Sequence, residues 1–223
     1  AEFAITAYYI LRREGKIRFR LPDLLPNNRA LYRKYIAISI PVIGNELMWG
    51  LGTSMVAVVI GRMGTNFVAA NSIYTVLNQF VSVMIFGVGN AALTIVGNTI
   101  GSGDYELAKQ RSVTLLMLSL GLGLFSAGVT LLLGPMVVSM YNLSPETVEI
   151  ALAITRLGAL IVFFQSIALI GMVGVLRAGG DAKFVLLCEV VFLWFVAVPA
   201  GFYTGLVLGW PAAPVFLLLK CDE

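Results

Sequence analysis

The chain has 223 residues, 59% of them hydrophobic and 12% charged, with a net charge of +3 and no histidine. A soluble domain carries about 25% charged residues, and the mean hydropathy here is +0.91, so a soluble helical core does not fit runs that each exceed the ~20 apolar residues of a membrane span. The missing histidine excludes a Ser-His-Asp triad, a His-ligated metal and a histidine proton relay within these residues.

Residues 1–11 lack the basic flank and cleavage motif of a signal peptide and read as the end of a preceding transmembrane helix. Residues 12–34 read as a basic linker: Arg12, Arg13, Lys16, Arg18, Arg20, Arg29, Arg33 and Lys34, with Pro22 and Pro26. Five apolar spans follow, at about 35–60, 67–100, 107–141, 145–176 and 182–208. A sixth, 211–223, stops inside an apolar run, and the chain is expected to be part of a longer protein. Pro41 is expected to bend the first span, and the fifth contains Pro199. Spans of 30 or more residues exceed the bilayer and imply tilt or protrusion.

The turns carry the clearest local signals. Gly101-Ser102-Gly103-Asp104 and Gly179-Gly180-Asp181 each place glycine after a helix and an aspartate N-cap before the next. Ser144-Pro145-Glu146 supplies a cap, an N1 proline and a first-turn acid. The first turn lacks the Lys-Ser/Thr of a phosphate loop. Basic residues segregate: linker 12–34 and loops 101–111 and 177–183 hold twelve, and the opposite loops hold only Arg62. The positive-inside rule places the basic side in the cytoplasm, and the linker reads as topogenic and lipid-facing rather than as a nucleic-acid patch. Cys188 and Cys221 form no disulfide or zinc pattern.

Ionisable and polar groups inside spans are candidate functional sites because burying them is costly. Glu46 lies about a dozen residues into the first span, near mid-membrane at 1.5 Å per residue. It shares a helical face with Ser39 and Thr53. Asn45, Trp49 and Thr53 are the other cavity candidates on that helix. In the second span Asn71, Tyr74, Thr75, Asn78, Gln79 and Ser82 fall at i, i+3, i+4, i+7, i+8 and i+11, one polar stripe that suits a cavity wall or interhelical bonding; Asn90 lies further along. In the fourth span Arg156 and Gln165 are nine residues apart and face opposite ways on a straight helix. Gln165 is the cavity candidate of the pair, and Arg156 is a possible secondary charged site that can also snorkel. Glu189, in the fifth span, reads equally as an anchor or a functional acid.

These residues resemble the multidrug and toxic compound extrusion (MATE) family, in its C-terminal half. The matching stretches are Pro41 to Gly50, Gly61 to Thr65, Ala69 to Ile73, Val96 to Lys109 and Gly174 to Lys183. Their order and spacing, from about residue 8 onward, carry the resemblance. It implies an all-α membrane protein of twelve helices in two six-helix lobes around a central cavity. This chain would run from the tail of helix six, through the cytoplasmic linker, to the start of helix twelve. The family exchanges protons or sodium ions for organic, often cationic compounds. Its seventh-helix glutamate falls on Glu46. A tyrosine and an aspartate that some members use in helix ten have no acidic counterpart here, where that span offers Arg156 and Gln165.

The resemblance therefore implies an antiporter in a plasma membrane, bacterial inner membrane by analogy. It implies no catalytic residue, metal or cofactor beyond the coupling ion. Its partners would be small organic cations, membrane lipid and the N-terminal lobe of the same protein, and not nucleic acid. Two alternatives remain open: a lipid-linked sugar flippase of the same superfamily, and a non-transporting membrane fragment.

Overall fold

The computed structural model describes residues 29–221. The preceding-helix reading of 1–11 and most of linker 12–34 lie outside the described residues. The described part of that stretch, residues 29–34, is helical and begins the first helix. Among the described residues, 29–40 fall in one compact unit and those from Pro41 onward in a second.

The apolar runs fold as helices because a hydrocarbon environment leaves backbone N–H and C=O groups no partner but each other. Helix α1 is Arg29–Met63, α2 is Thr65–Gly101 and α3 is Tyr105–Ser139. Helix α4 is Pro145–Leu169 and continues as wider π-helical turns over Ile170–Arg177. Helix α5 starts at Ala182–Val191 and includes π-helical turns at Phe192–Ala197 and Tyr203–Val207. Pro199 lies between those two segments, where its missing N–H removes an i→i−4 bond. A short α6, Ala212–Leu219, completes the described elements. Pro41 sits inside α1 without ending it.

Five of these helices are long and apolar enough to cross a membrane: Tyr35–Met63, Thr65–Gly101, Tyr105–Ser139, Pro145–Arg177 and Ala182–Val207. Large apolar side chains crowd their outer surfaces, with Phe80, Leu132, Met140 and Phe195 each at least three-quarters exposed. In water such a surface would aggregate; in lipid it is the solvated face.

The turns follow the expected chemistry. Gly103 (φ 84°) and Gly180 (φ 91°) take the left-handed conformation that closes a helix. Asp104 then accepts from the Leu107 N–H at 3.0 Å, Ser144 from Thr147 at 3.3 Å and Asp181 from Phe184 at 3.3 Å. Each bond satisfies one orphan donor at a helix start.

Helices cross on small residues, as membrane packing favours. Gly158 of α4 receives the ring of Tyr74 from α2, and Tyr74 meets Phe216 of α6 edge-on at 5.0 Å between centroids. Gly52 of α1 receives Leu193 of α5, and Gly201 receives Leu219. Between α3 and α4, Gly123 lies against the Phe163 backbone carbonyl, and the Ser166 hydroxyl donates to the Ser119 carbonyl at 2.9 Å.

Candidate functional site

A cavity of about 390 Å³ opens among α1, α2, α4 and α5. Helix α1 supplies Asn45, Glu46 and Trp49; α2 supplies Phe86 and Asn90; α5 supplies Glu189 and Leu193. Helix α4 supplies Gln165 and the residues that follow it along one face, ending at Arg177. Met172, Val173 and Arg177 belong to the π-helical turns of α4 and Leu193 to those of α5. Wider turns shift side chains from their regular register, which is why they recur at functional sites.

Charge in the cavity centres on Arg177, whose side chain is 18% exposed. Its Nη1 stands 3.5 Å from Glu46 Oε1 and its Nη2 stands 3.9 Å from Glu189 Oε1. One guanidinium thus bridges carboxylates from two different helices. The carboxylates differ in setting. Glu46 is 60% exposed and open to the cavity, and Glu189 is 26% exposed. Asn45, only 4% exposed, donates from Nδ2 to the other oxygen of Glu189. Glu189 therefore accepts one hydrogen bond, from Asn45, and meets Arg177 only as an ion pair; Glu46 accepts the long bond from Arg177 and keeps acceptor capacity to spare. The remaining carbonyl oxygens of Asn45 and Gln165 are buried without a hydrogen-bond partner, each at a cost of about 1–3 kcal/mol. The rest of the wall is apolar and aromatic, through Trp49, Phe86, Leu169 and Leu193.

Of the residues expected to line a cavity, Asn45, Glu46, Trp49 and Gln165 meet here, and Glu189 joins them. Thr53 does not; its hydroxyl donates to the Gly50 carbonyl at 3.0 Å. The polar stripe of α2 divides. Tyr74 and Ser82 are buried in the bundle, Tyr74 because Gly158 leaves room for its ring and Ser82 with its hydroxyl on Asn78 Oδ1 at 3.3 Å. Neither lines this cavity. Asn71 and Asn78 are half-buried, and Thr75 and Gln79 are exposed. Gln79 precedes Phe86 by seven residues and Asn90 by eleven, so all three share a helical face, with the cavity at one end of it. Arg156 is exposed and contributes nothing to the cavity.

Glu46, the twelfth of 29 residues in its span, pairs with Arg177, the last residue of the fourth span. Arg177 itself was read only as a loop base that sets orientation. The available signal was its place on the last turn of an apolar span, from which a long side chain can reach back along the helix.

A bundle of membrane-length helices enclosing a charged, aromatic-walled cavity defines a multi-pass membrane protein of transporter type. The chain belongs to the MatE family: that family's model matches residues 41–203. It is 22% identical over 98% of its length to the uncharacterized transporter YisQ of Bacillus subtilis, covering 48% of that protein. It is 25% identical to the multidrug resistance protein PmpM of Pseudomonas aeruginosa, over 85% of this chain and 38% of that one. It is also 25% identical to the multidrug resistance protein MdtK of Proteus mirabilis, over 92% of this chain and 45% of that one. The chain spans about half the length of these curated relatives or less. Among solved structures, a MOP superfamily transporter from Pyrococcus furiosus and an outward-facing MATE family multidrug resistance transporter each share the fold. Both have TM-score 0.76 at 21% identity, over 84% of this chain and 41% of theirs. The family consists of transporters, not enzymes.

Proposed function

We propose that this chain forms the cation-handling lobe of a secondary antiporter, exporting small organic cations in exchange for protons or sodium ions. The observation that carries this reading is Glu46. It is a carboxylate open to a cavity, bonded to one arginine at a long 3.5 Å and flanked by Trp49 and Phe86. An exposed carboxylate with spare lone pairs attracts a cation by charge, and aromatic faces add cation–π attraction when the cation is flat or bulky. Apolar wall on Leu169 and Leu193 suits the hydrocarbon part of the same molecule.

Coupling follows from competition. A coupling ion and a substrate cation that both need Glu46 cannot occupy it together, and each arrival expels the other. Rocking of this lobe against an N-terminal partner lobe would present the cavity to one side of the membrane and then the other. We assign the membrane as the bacterial inner membrane, with turns 101–104 and 178–181 facing the cytoplasm by the positive-inside rule. A lipid-linked pyrophosphate would need surplus positive charge in the cavity. Arg177 is outnumbered by Glu46 and Glu189 there, which speaks against the flippase alternative.

The test is ethidium efflux from pump-deficient cells expressing the full-length protein that carries this chain. Glu46→Gln is expected to abolish efflux at unchanged membrane expression. Undiminished efflux in that variant would overturn the reading.

A further inference from the structure

Among the described residues, three ionisable side chains line the cavity: Glu46, Arg177 and Glu189. Their arrangement is unequal in a way that sets a charge count. Arg177 is mostly buried and lies between the two acids, which come from α1 and α5. Glu189 is the better-held acid, because Asn45 donates to its second oxygen. Glu46 is the exposed one, and its bond to Arg177 is at the limit of a hydrogen bond. A cation entering the cavity meets Glu46 first, as the exposed acid, beside a guanidinium that also faces Glu189 at 3.9 Å. Counted by formal charge, two carboxylates against one guanidinium leave one net negative charge.

We propose that Arg177 sets the valence of the transported cation: by offsetting one of the two carboxylates, it makes the cavity a site for one singly charged organic cation, and without it the cavity would favour a doubly charged one. This rests on the reading of Glu46 as the cation-binding group. Asn45 holds Glu189, Glu189 faces Arg177, and of the charged groups Glu46 alone touches the ligand. A unit charge several ångströms from the ligand, at the effective dielectric of a partly hydrated site, changes affinity about tenfold per ligand charge. The electrostatic part of affinity then follows the count of charges in the cluster, whichever residue is changed.

Ethidium and propidium test this, because they share a phenanthridinium ring and carry one and two positive charges. Their binding is measured by fluorescence on the purified full-length protein carrying this chain, in lipid nanodiscs. Glu189→Gln brings the cluster to zero and is expected to weaken ethidium about tenfold. Arg177→Gln brings it to two negative charges. That change is expected to tighten ethidium about tenfold and to raise the propidium-to-ethidium affinity ratio by a further tenfold. The double variant Arg177→Gln/Glu189→Gln restores one negative charge and is expected to restore wild-type affinities and ratio, as is Arg177→Lys. A merely structural role for Arg177 would not invert between the single and double variants. Should Arg177→Gln fail to fold for want of a partner on Glu189, the Glu189→Gln and double variants still decide. A ratio within twofold of wild type across the folded variants overturns the valence assignment. If ethidium binding is lost in Glu46→Gln while that ratio stays flat, this inference falls and the cation site stands. Wild-type protein that binds neither dye, or a Glu46→Gln variant that binds ethidium as wild type does, overturns both.

Discussion

Substituting Gly158 by alanine places one methyl group where α4 receives the ring of Tyr74. An added Cβ would lie 2.0 Å from Tyr74 Cε2 and 2.8 Å from two further ring atoms, whereas ordinary contact begins at 3.4 Å. The ring cannot swing aside. Tyr74 is 2% exposed and sits edge-on against Phe216, itself fully buried. The helices must separate or Tyr74 must leave its rotamer, and overpacking of this kind costs about 1–3 kcal/mol. The overlap exceeds an ångström and its neighbours are locked, so the upper end applies. Domains of this size lose about 2–4 °C of Tm per kcal/mol, which gives a fall of roughly 6–12 °C. The assay is thermal unfolding of the purified protein in detergent. Gly121→Ala is the control: nothing lies within 4 Å of its added Cβ, and alanine is the better helix former by about 1 kcal/mol. Tyr74→Leu on the Gly158→Ala background relieves the clash and is expected to recover part of the loss. A Tm for Gly158→Ala within 2 °C of wild type would refute the packing argument.

Two further outcomes follow from the turns. Asp181→Ala removes the cap on the Phe184 N–H and is expected to cost about 1 kcal/mol, read as a Tm lower by a few degrees; Asp181→Asn, which keeps a capping oxygen, should recover most of it, and equal losses in both would exclude capping as the cause. Single cysteines at Ser102 and Asn142, both exposed at opposite ends of α3, are expected to react with an impermeant maleimide from opposite sides of the membrane in a background lacking Cys188 and Cys221. Ser102 should label only from the cytoplasmic face, and labelling of Ser102 from outside intact cells would reverse the orientation.

Periodicity and length identified the helices because each long apolar run can satisfy its backbone only internally, whatever surrounds it. Caps at Asp104, Ser144 and Asp181 were legible for a similar reason: they act within three residues of themselves. The α2 stripe shows where such reasoning stops. Its register correctly places six polar residues on adjoining turns, but Tyr74 and Ser82 are covered by neighbouring helices while Thr75 and Gln79 are not. Which part of a helical face is covered depends on a partner that the face itself does not name.

The sequence alone determined that this is an all-α membrane protein with glycine-aspartate turns, and it marked Glu46 as the acid most in need of an explanation. These are local properties, set by composition, spacing and the cost of burying charge. The tertiary structure decided that Glu46 belongs to a cluster with Arg177, 131 residues away, and that Asn45 supports Glu189, 144 residues away. It also decided that the tyrosine of the polar stripe fills the notch at Gly158 instead of facing a cavity. Charges and rings meet across such separations only when helix crossings bring them together, and those crossings depend on the small residues where the helices touch.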